Sequence, residues 1–402
     1  MKVLQIIARL NVGGPTRQVV WLTRLMRNEN FQTLLLAGEV PDGEEDMSYF
    51  AREHQVEPFY IPEMSRELSP KDLIALWKVY RYFVATAPDV IHTHTAKAGF
   101  LGRAAGFMYR WLNWKKIFIV HTFHGHVFHS YYGSLKTKVF LVIEKLLARF
   151  ATDKIIVITQ QQFDEIHGEF GIGEKEQYEI VPLGIDLQPF HFAEDSRAEF
   201  RHSVGATDDE ILIGFIGRLT EIKNVSLLLK VAAIYQSRKN HDSPNLRFLI
   251  VGDGNLRSAL ESEAQALNLN DTVQFIGNQP NVETVYAGLD LVALCSLNEG
   301  TPLSLIEAMA SGIPIISTNV GGVCDLVGEI DCALNGFDVC ERGIKIDDAS
   351  AENFYNGLIY LAKSETLQKT LTLSGRKFVW STYGKERLVS DMENLFNRFA
   401  KQ

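Results

Sequence analysis

The sequence predicts an α/β protein built from two doubly wound domains. Three observations carry the prediction. Short continuous runs of Val, Ile and Leu alternate with helical patterns along most of the chain. That alternation marks a parallel sheet covered by helices on both faces. The cycle restarts after residue 205, so there are two such series. The chain is also 402 residues long, beyond the length at which a single core keeps growing.

In the first series KVLQIIA, from Lys2, reads as a buried strand and VVWLTRLM as the helix after it. DVIHTHT precedes AKAGFLGRAAGFMYRWL, IFIVHTF precedes KTKVFLVIEKLLARF, and DKIIVIT precedes QQQFDEIHGEF. In the second series ILIGFIG leads into NVSLLLKVAAIYQ, LRFLIVG into LRSALESEAQAL, and DLVALCS into SLIEAMAS, with PIISTNV following. The stretch LGIDLQPFHFAEDSRAEF, from Leu183, mixes Gly, Pro and charge and is the expected linker. The expected domains are therefore residues 1–187 and 206–383, closed by an amphipathic helix over about 384–402. In doubly wound sheets ligands sit at the carboxyl ends of strands, and the most informative residues follow strands here.

Composition narrows the class. The chain is 46% hydrophobic and 22% charged with 30 Gly, ample for two cores. No apolar run approaches the roughly 20 residues of a membrane span. The N-terminus reads as a first strand rather than a signal peptide, so a cytoplasmic protein is expected. The four cysteines, Cys295, Cys324, Cys332 and Cys340, include no CxxC pair, which argues against a zinc site. They are expected to be reduced and mostly buried. The net charge of −9 falls entirely in the second half, which argues against a nucleic-acid partner. Residues 97–154 are the exception, with ten basic residues and only Glu144 and Asp153 as acids.

Four constellations carry chemistry. SLNEGTPLSLIEAMASGIPIIST, residues 296–318, places a Gly-Thr-Pro turn between a strand and a helix. Thr301 is the expected N-cap and Pro302 the first helical residue; Gly312 and Pro314 stop the helix. A helix N-terminus suits a pyrophosphate. Glu299 then faces what the phosphate carries, and Glu307 reaches a ribose. Taken alone, the two acids fit equally well as a dipole-favoured Glu and an exposed one. FIGRLTEIKN sets Arg218 and Lys223 after the strand that ends at Gly217, a pair suited to a diphosphate leaving group or to plain surface charge. VGDGNLR, residues 251–257, has GxG without a third glycine, weak as a dinucleotide fingerprint and natural as a strand-end turn. Gly13 and Gly14, between the first strand and its helix, let backbone amides approach a ligand or make a tight turn.

GGPTRQV, HTFHG, VPLGID, GRLTEIKN, VGDGNLR and SLNEGTPLSLIEAMASGIPIISTNVGG together resemble the retaining glycosyltransferases of family 4. The likeness runs in order over nearly the whole chain, and its sequel HTFHGHVFH…EKLLARFATDKIIVIT is similar to the bacterial branch acting on lipid-linked or surface polysaccharides. It implies two Rossmann-like domains facing a cleft, the GT-B fold, with the C-terminal helix returning to the first domain. It implies that Glu299 contacts the donor sugar and Glu307 the ribose. Arg218 and Lys223 hold the donor phosphates beside Gly217, and the backbone from Gly300 through Thr301 and Pro302 to Leu303 holds the pyrophosphate. Gly13 and Gly14 lie against the donor, His124 contacts the transferred sugar, and the base packs near Gly277 and Asn278. The implied partners are a nucleotide sugar, UDP-linked by family habit, and a glycan or polyprenyl-linked acceptor. The family uses no metal, and no two aspartates here are two apart, so no D-x-D clamp exists.

The retaining outcome implies front-face attack, with the leaving phosphate accepting the acceptor's proton. Of the four histidines in HTFHGHVFH, strand alternation sends His121 and His124 to opposite faces. His124 is then the working residue, with His126 and His129 at an acceptor cleft or its rim and His92 and His94 unassigned. GFLGRAAGFMYRWLNWKK interleaves Arg103, Arg110, Lys115 and Lys116 with aromatics. It reads either as a helix packing its aromatics on the sheet or, given the basic excess, as contact with an anionic membrane surface. The competing functions are a sugar-nucleotide epimerase or phosphorylase, which lack this E-x7-E form, and a non-catalytic nucleotide-sugar binder, of which the presence of both glutamates and both cations gives no sign. A histidine metallohydrolase is the fourth; its Asp-His partners are absent from HTHT.

Overall fold

The structure, a computed structural model, describes all residues except 12, 42–45, 65–69, 125–133, 192–193 and 401–402. Two compact units result: Met1–Ile185 with Tyr383–Gln402, and Asp186–Thr382.

The first unit holds a seven-stranded sheet: β1 (Lys2–Ile7), β2 (Gln32–Ala37), β3 (Phe59–Tyr60), β4 (Val90–His94), β5 (Phe118–Thr122), β6 (Lys154–Val157) and β7 (Tyr178–Ile180). Their order is β3-β2-β1-β4-β5-β6-β7, and every pairing is parallel. The order reverses between β1 and β4, the position at which such sheets bind ligands. Alternate residues of β1 feed opposite layers, as strand geometry requires. Leu4 and Ile6 join one core with Phe83, Leu101 and Tyr109. Val3 joins another with Leu388, Met392, Leu395 and Phe396. The apolar face of helix Lys385–Ala400 thus completes the core of the first unit.

The second unit holds an eight-stranded sheet: β8 (Ile211–Ile216), β9 (Leu246–Val251), β10 (Val273–Gly277), β11 (Leu291–Leu294), β12 (Ile315–Thr318), β13 (Ile330–Leu334), β14 (Phe337–Cys340) and β15 (Gly343–Ile346). The order is β10-β9-β8-β11-β12-β15-β14-β13. Six strands run parallel, and β13 and β14 extend the edge antiparallel. The apolar-run reading did not anticipate this extension. Every residue of β13 is exposed, so no buried run betrays it.

The expected linker is a correction. The second unit begins at Asp186, not at residue 206, because Glu194–Ser203 is a helix of that unit. Phe200 presses on Gly288, where a Cβ would come within 2.2 Å of its ring. Arg197 and Arg201 both bond Asp290, at 2.5 and 3.0 Å. The charges that looked like linker solvation are the ion pairs that seat the helix.

The basic helix is also largely structural. Over Ala96–Leu112, Gly99, Gly102 and Gly106 form a stripe on the sheet side. A Cβ there would meet His121 Cε1 at 2.5 Å, Thr93 Cγ2 at 2.5 Å and Ile119 Cδ1 at 2.8 Å. Arg103 is fully buried and its Nη2 donates to both Glu144 oxygens at 2.7 Å. Arg110 pairs with Asp153. Tyr109 is in the core, while Phe107, Trp111 and Trp114 remain exposed, as do Lys115 and Lys116. The cysteines also depart from expectation: Cys295 and Cys340 are buried, but Cys324 and Cys332 are exposed. Among the described residues no helix is long and apolar enough to cross a membrane.

Candidate active site

In the second unit the loops after parallel strands share one edge of the sheet. After β8 the chain passes Gly217 and Arg218, makes a single 3-10 turn at Glu221–Lys223, and turns again at Asn224 in the left-handed region. The Leu297 N–H donates to the Ile222 carbonyl at 2.8 Å, tying this loop to the one after β11. Across that tie Lys223 Nζ donates to Glu299 Oε1 at 2.5 Å. Ser296 Oγ donates to the same oxygen, also at 2.5 Å. Glu299 and Lys223, 76 residues apart, therefore meet. Arg218 is exposed and pairs with no carboxylate among the described residues.

The helix after Glu299 spans Leu303–Ala310, with Pro302 as its N-cap and no side-chain cap. This corrects the expected Thr301 cap: Pro302 is still extended (φ −73°, ψ 106°), so the helix begins one residue later. Its first N–H groups have no partner within the helix, and they lie beside Gly300, where a Cβ would meet nothing within 4 Å. Glu307 lies in this helix, and its Oε2 accepts from the Tyr286 hydroxyl at 2.9 Å. Tyr286 is fully buried. Burial first, and the Glu307 charge second, hold its hydroxyl well above the ordinary range, so it remains a donor.

Two glycine pairs hold these loops together. At Gly321 (φ +53°) a Cβ would meet the Glu299 carbonyl oxygen at 1.7 Å, and at Gly322 the Gly300 oxygen at 2.1 Å. Only glycine lets the segment after β12 lie on the Glu299–Gly300 backbone. Gly252 and Gly254 do the same against the Gly217 and Leu219 carbonyls, at 2.0 and 2.4 Å. This gives VGDG its reason: the glycines permit backbone on backbone. Gly277 (φ +70°) is buried and Asn278 exposed, at the end of β10 on the same sheet edge. Tyr286, Gly321 and Gly322 were not singled out from sequence. The NVGG tail of the long motif was their only signal, and nothing local marks Tyr286.

In the first unit Gly13 and Gly14 follow β1. Gly13 is extended (φ 162°). A Cβ there would come no nearer than 3.6 Å to Pro15, and at Gly14 it would meet nothing within 4 Å. A tight turn therefore does not require the pair. His124 follows β5, and its Nε2 lies 2.8 Å from His94 Nδ1. His121 turns to the other face and meets Thr93 Oγ1 at 2.8 Å, as alternation predicts. Burial holds His124 at about 4 and His92 at about 3, and His94 and His121 well below the usual imidazole range. His94, which the sequence left unassigned, comes from a neighbouring strand and bonds His124. His126 and His129 lie outside the described residues.

Comparison with known proteins follows this geometry. Residues 12–189 match the family described as Glycosyltransferase Family 4, and residues 196–378 match Glycosyl transferases group 1. Each unit thus matches a glycosyltransferase family, the first unit that of family 4. This glycosyltransferase is 28% identical over 364 residues to the Escherichia coli UDP-Gal:alpha-D-GlcNAc-diphosphoundecaprenol alpha-1,3-galactosyltransferase, across 89% of this chain and 86% of that one. It is 24% identical to the Staphylococcus aureus capsular polysaccharide biosynthesis glycosyltransferase CapM, across 87% and 88%. Among solved structures, Anabaena Alr3699/HepE in complex with UDP superposes with a TM-score of 0.77 at 18% identity, across 99% and 100% of the two chains. That likeness establishes the GT-B fold of the glycosyltransferase.

Proposed function

We propose that this glycosyltransferase retains anomeric configuration and moves a hexosyl or N-acetylhexosaminyl group from a UDP-sugar to a glycan or polyprenyl-linked saccharide, in surface polysaccharide synthesis. The observation that carries the reading is the meeting of Lys223 and Glu299 at 2.5 Å beside the uncapped helix N-terminus at Leu303. The Escherichia coli relative, named for a UDP-galactose donor and a diphosphoundecaprenol-linked acceptor, supports the choice of substrates.

Glycosyl transfer leaves negative charge on the departing diphosphate and positive charge on the anomeric carbon. Arg218, Lys223 and the Gly300, Thr301 and Leu303 amides answer the first, each such element being worth on the order of 10²–10³ in rate. With those charges supplied by the chain, the reaction needs no metal. Glu299 binds the sugar and Glu307 the ribose. Gly217, Gly277 and Asn278 flank the phosphates and base. From the first unit, Gly13, Gly14 and His124 take the roles the resemblance assigns, against the donor and its sugar. The acceptor hydroxyl attacks from the face that the diphosphate leaves, and the phosphate takes its proton. The enzyme works in the cytoplasm at the inner membrane face, where Trp111, Trp114, Lys115 and Lys116 meet anionic lipid.

The test is product NMR after screening a panel of nucleotide sugars. A product with the donor's anomeric configuration is expected; the opposite anomer rules out retention. Glu299→Ala and Lys223→Ala should each lower turnover by about tenfold or more with the fold intact. Unchanged turnover would contradict the assigned roles.

A further inference from the structure

We infer that Gln5 and His94 are positioning residues that set which nitrogen of His124 carries its proton. The three side chains come from neighbouring strands: Gln5 lies in β1, His94 ends β4, and His124 follows β5. Gln5 and His94 are fully buried. Gln5 Oε1 lies 2.8 Å from His94 Nε2, and His94 Nδ1 lies 2.8 Å from His124 Nε2.

A neutral imidazole has one N–H and one lone pair. An amide oxygen only accepts, so His94 donates through Nε2 and keeps the lone pair on Nδ1. That lone pair accepts from His124 Nε2–H, which leaves the lone pair of His124 on Nδ1. One glutamine thus orders two tautomers in series, the outer-partner control that orients working histidines elsewhere. The arrangement requires both rings to be neutral, and burial secures this. Among the described residues, the other titratable groups that act on the pair are themselves imidazoles. His92 lies 4.0 Å from His94 between ring centroids and bonds Thr122 Oγ1 at 2.7 Å. His121 faces the opposite layer with Arg103 beyond it. The edge of Phe396, from the C-terminal helix, closes the far side of His92.

The consequence deepens the reading of His124 as the sugar-contacting residue and rests on it. His124 presents a hydrogen-bond acceptor at Nδ1, suited to a donor-sugar hydroxyl and unsuited to an oxyanion.

The test is long-range ¹H–¹⁵N NMR of the full chain labelled at histidine, with His124→Gln used to assign its signals. The expected result is a single neutral tautomer of His124, with Nε2 protonated and Nδ1 bare at pH 7. Protonated Nδ1, or a mixture in the unsubstituted chain, overturns the inference. Gln5→Leu should convert His124 to a mixture and lower kcat by roughly tenfold, the scale on which loss of an outer partner acts, with donor KM within about twofold. His94→Phe, which keeps a flat ring but no acceptor, provides a second variant. If either variant binds UDP normally and keeps the His124 tautomer, the relay is wrong. If His124→Ala leaves turnover unchanged while the tautomer is as expected, the reading of His124 fails and the relay stands.

Discussion

At the scale of single residues, burial decides what the histidines can do. His92 and His124 are held at about 3 and about 4, and His94 and His121 well below their ordinary value, chiefly by desolvation. The unfolded chain takes up these protons near the ordinary value of 6.5. This source of stability is therefore complete above pH 6.5 and drains as pH falls toward 4, at about 1.4 kcal/mol per pH unit for each histidine. A thermal midpoint that stays flat between pH 7 and 5 would contradict this. Tyr286 supplies a second prediction. Its single hydroxyl proton is within reach of two acceptors, Glu307 Oε2 at 2.9 Å and the Ser304 carbonyl at 3.1 Å. Tyr286→Phe should cost about 1 kcal/mol of ribose binding, a roughly fivefold rise in donor KM with kcat little changed. An unaltered KM would remove Tyr286 from the site. Glu307 was legible in the sequence because it sits eight positions after Glu299. Tyr286 was not, because its contact arises from packing one helix against another 21 residues away.

At the scale of elements, glycines fix how closely segments approach. The loop that carries Glu299 is held by Gly321 and Gly322, whose missing side chains admit the Glu299 and Gly300 carbonyls. Gly322→Ala needs no unusual backbone angle but forces the Gly300 oxygen away from 2.1 Å. Displacements of about 1 Å at reacting groups cost on the order of 10² in rate. Turnover should fall at least tenfold with far-UV circular dichroism unchanged; full activity would show that the loop is not placed by this contact. The helix Ala96–Leu112 teaches the same lesson. Its extent was legible from periodicity, but the burial of Arg103 was not, because the glycine stripe that draws the helix onto β4 and β5 also turns Arg103 into the core against Glu144.

At the scale of the whole molecule, the first unit is closed by a helix from the end of the chain. Leu388, Met392, Leu395 and Phe396 fill a core begun by Val3. Its outer surface keeps Trp111 and Trp114 59% and 87% exposed, next to Lys115 and Lys116. Aromatics beside cations favour the interface of an anionic membrane. The enzyme should float with anionic liposomes, and Trp111→Ser with Trp114→Ser should weaken binding by roughly tenfold. Absence of flotation for the unsubstituted chain would remove the membrane contact.

The parallel parts of two sheets, their alternating helices, the strand-end loops bearing Arg218, Lys223 and Glu299, and the helix bearing Glu307 were determined by the sequence alone. These are written in local periodicity and in short spacings along one segment. Tertiary structure decided that Lys223 meets Glu299, that His94 rather than a neighbour in sequence bonds His124, that Arg103 is buried, and that residues 194–203 belong to the second unit. Each of these joins groups from separate segments. No local pattern encodes such a contact, because it exists only once the strands have taken their order in the sheet.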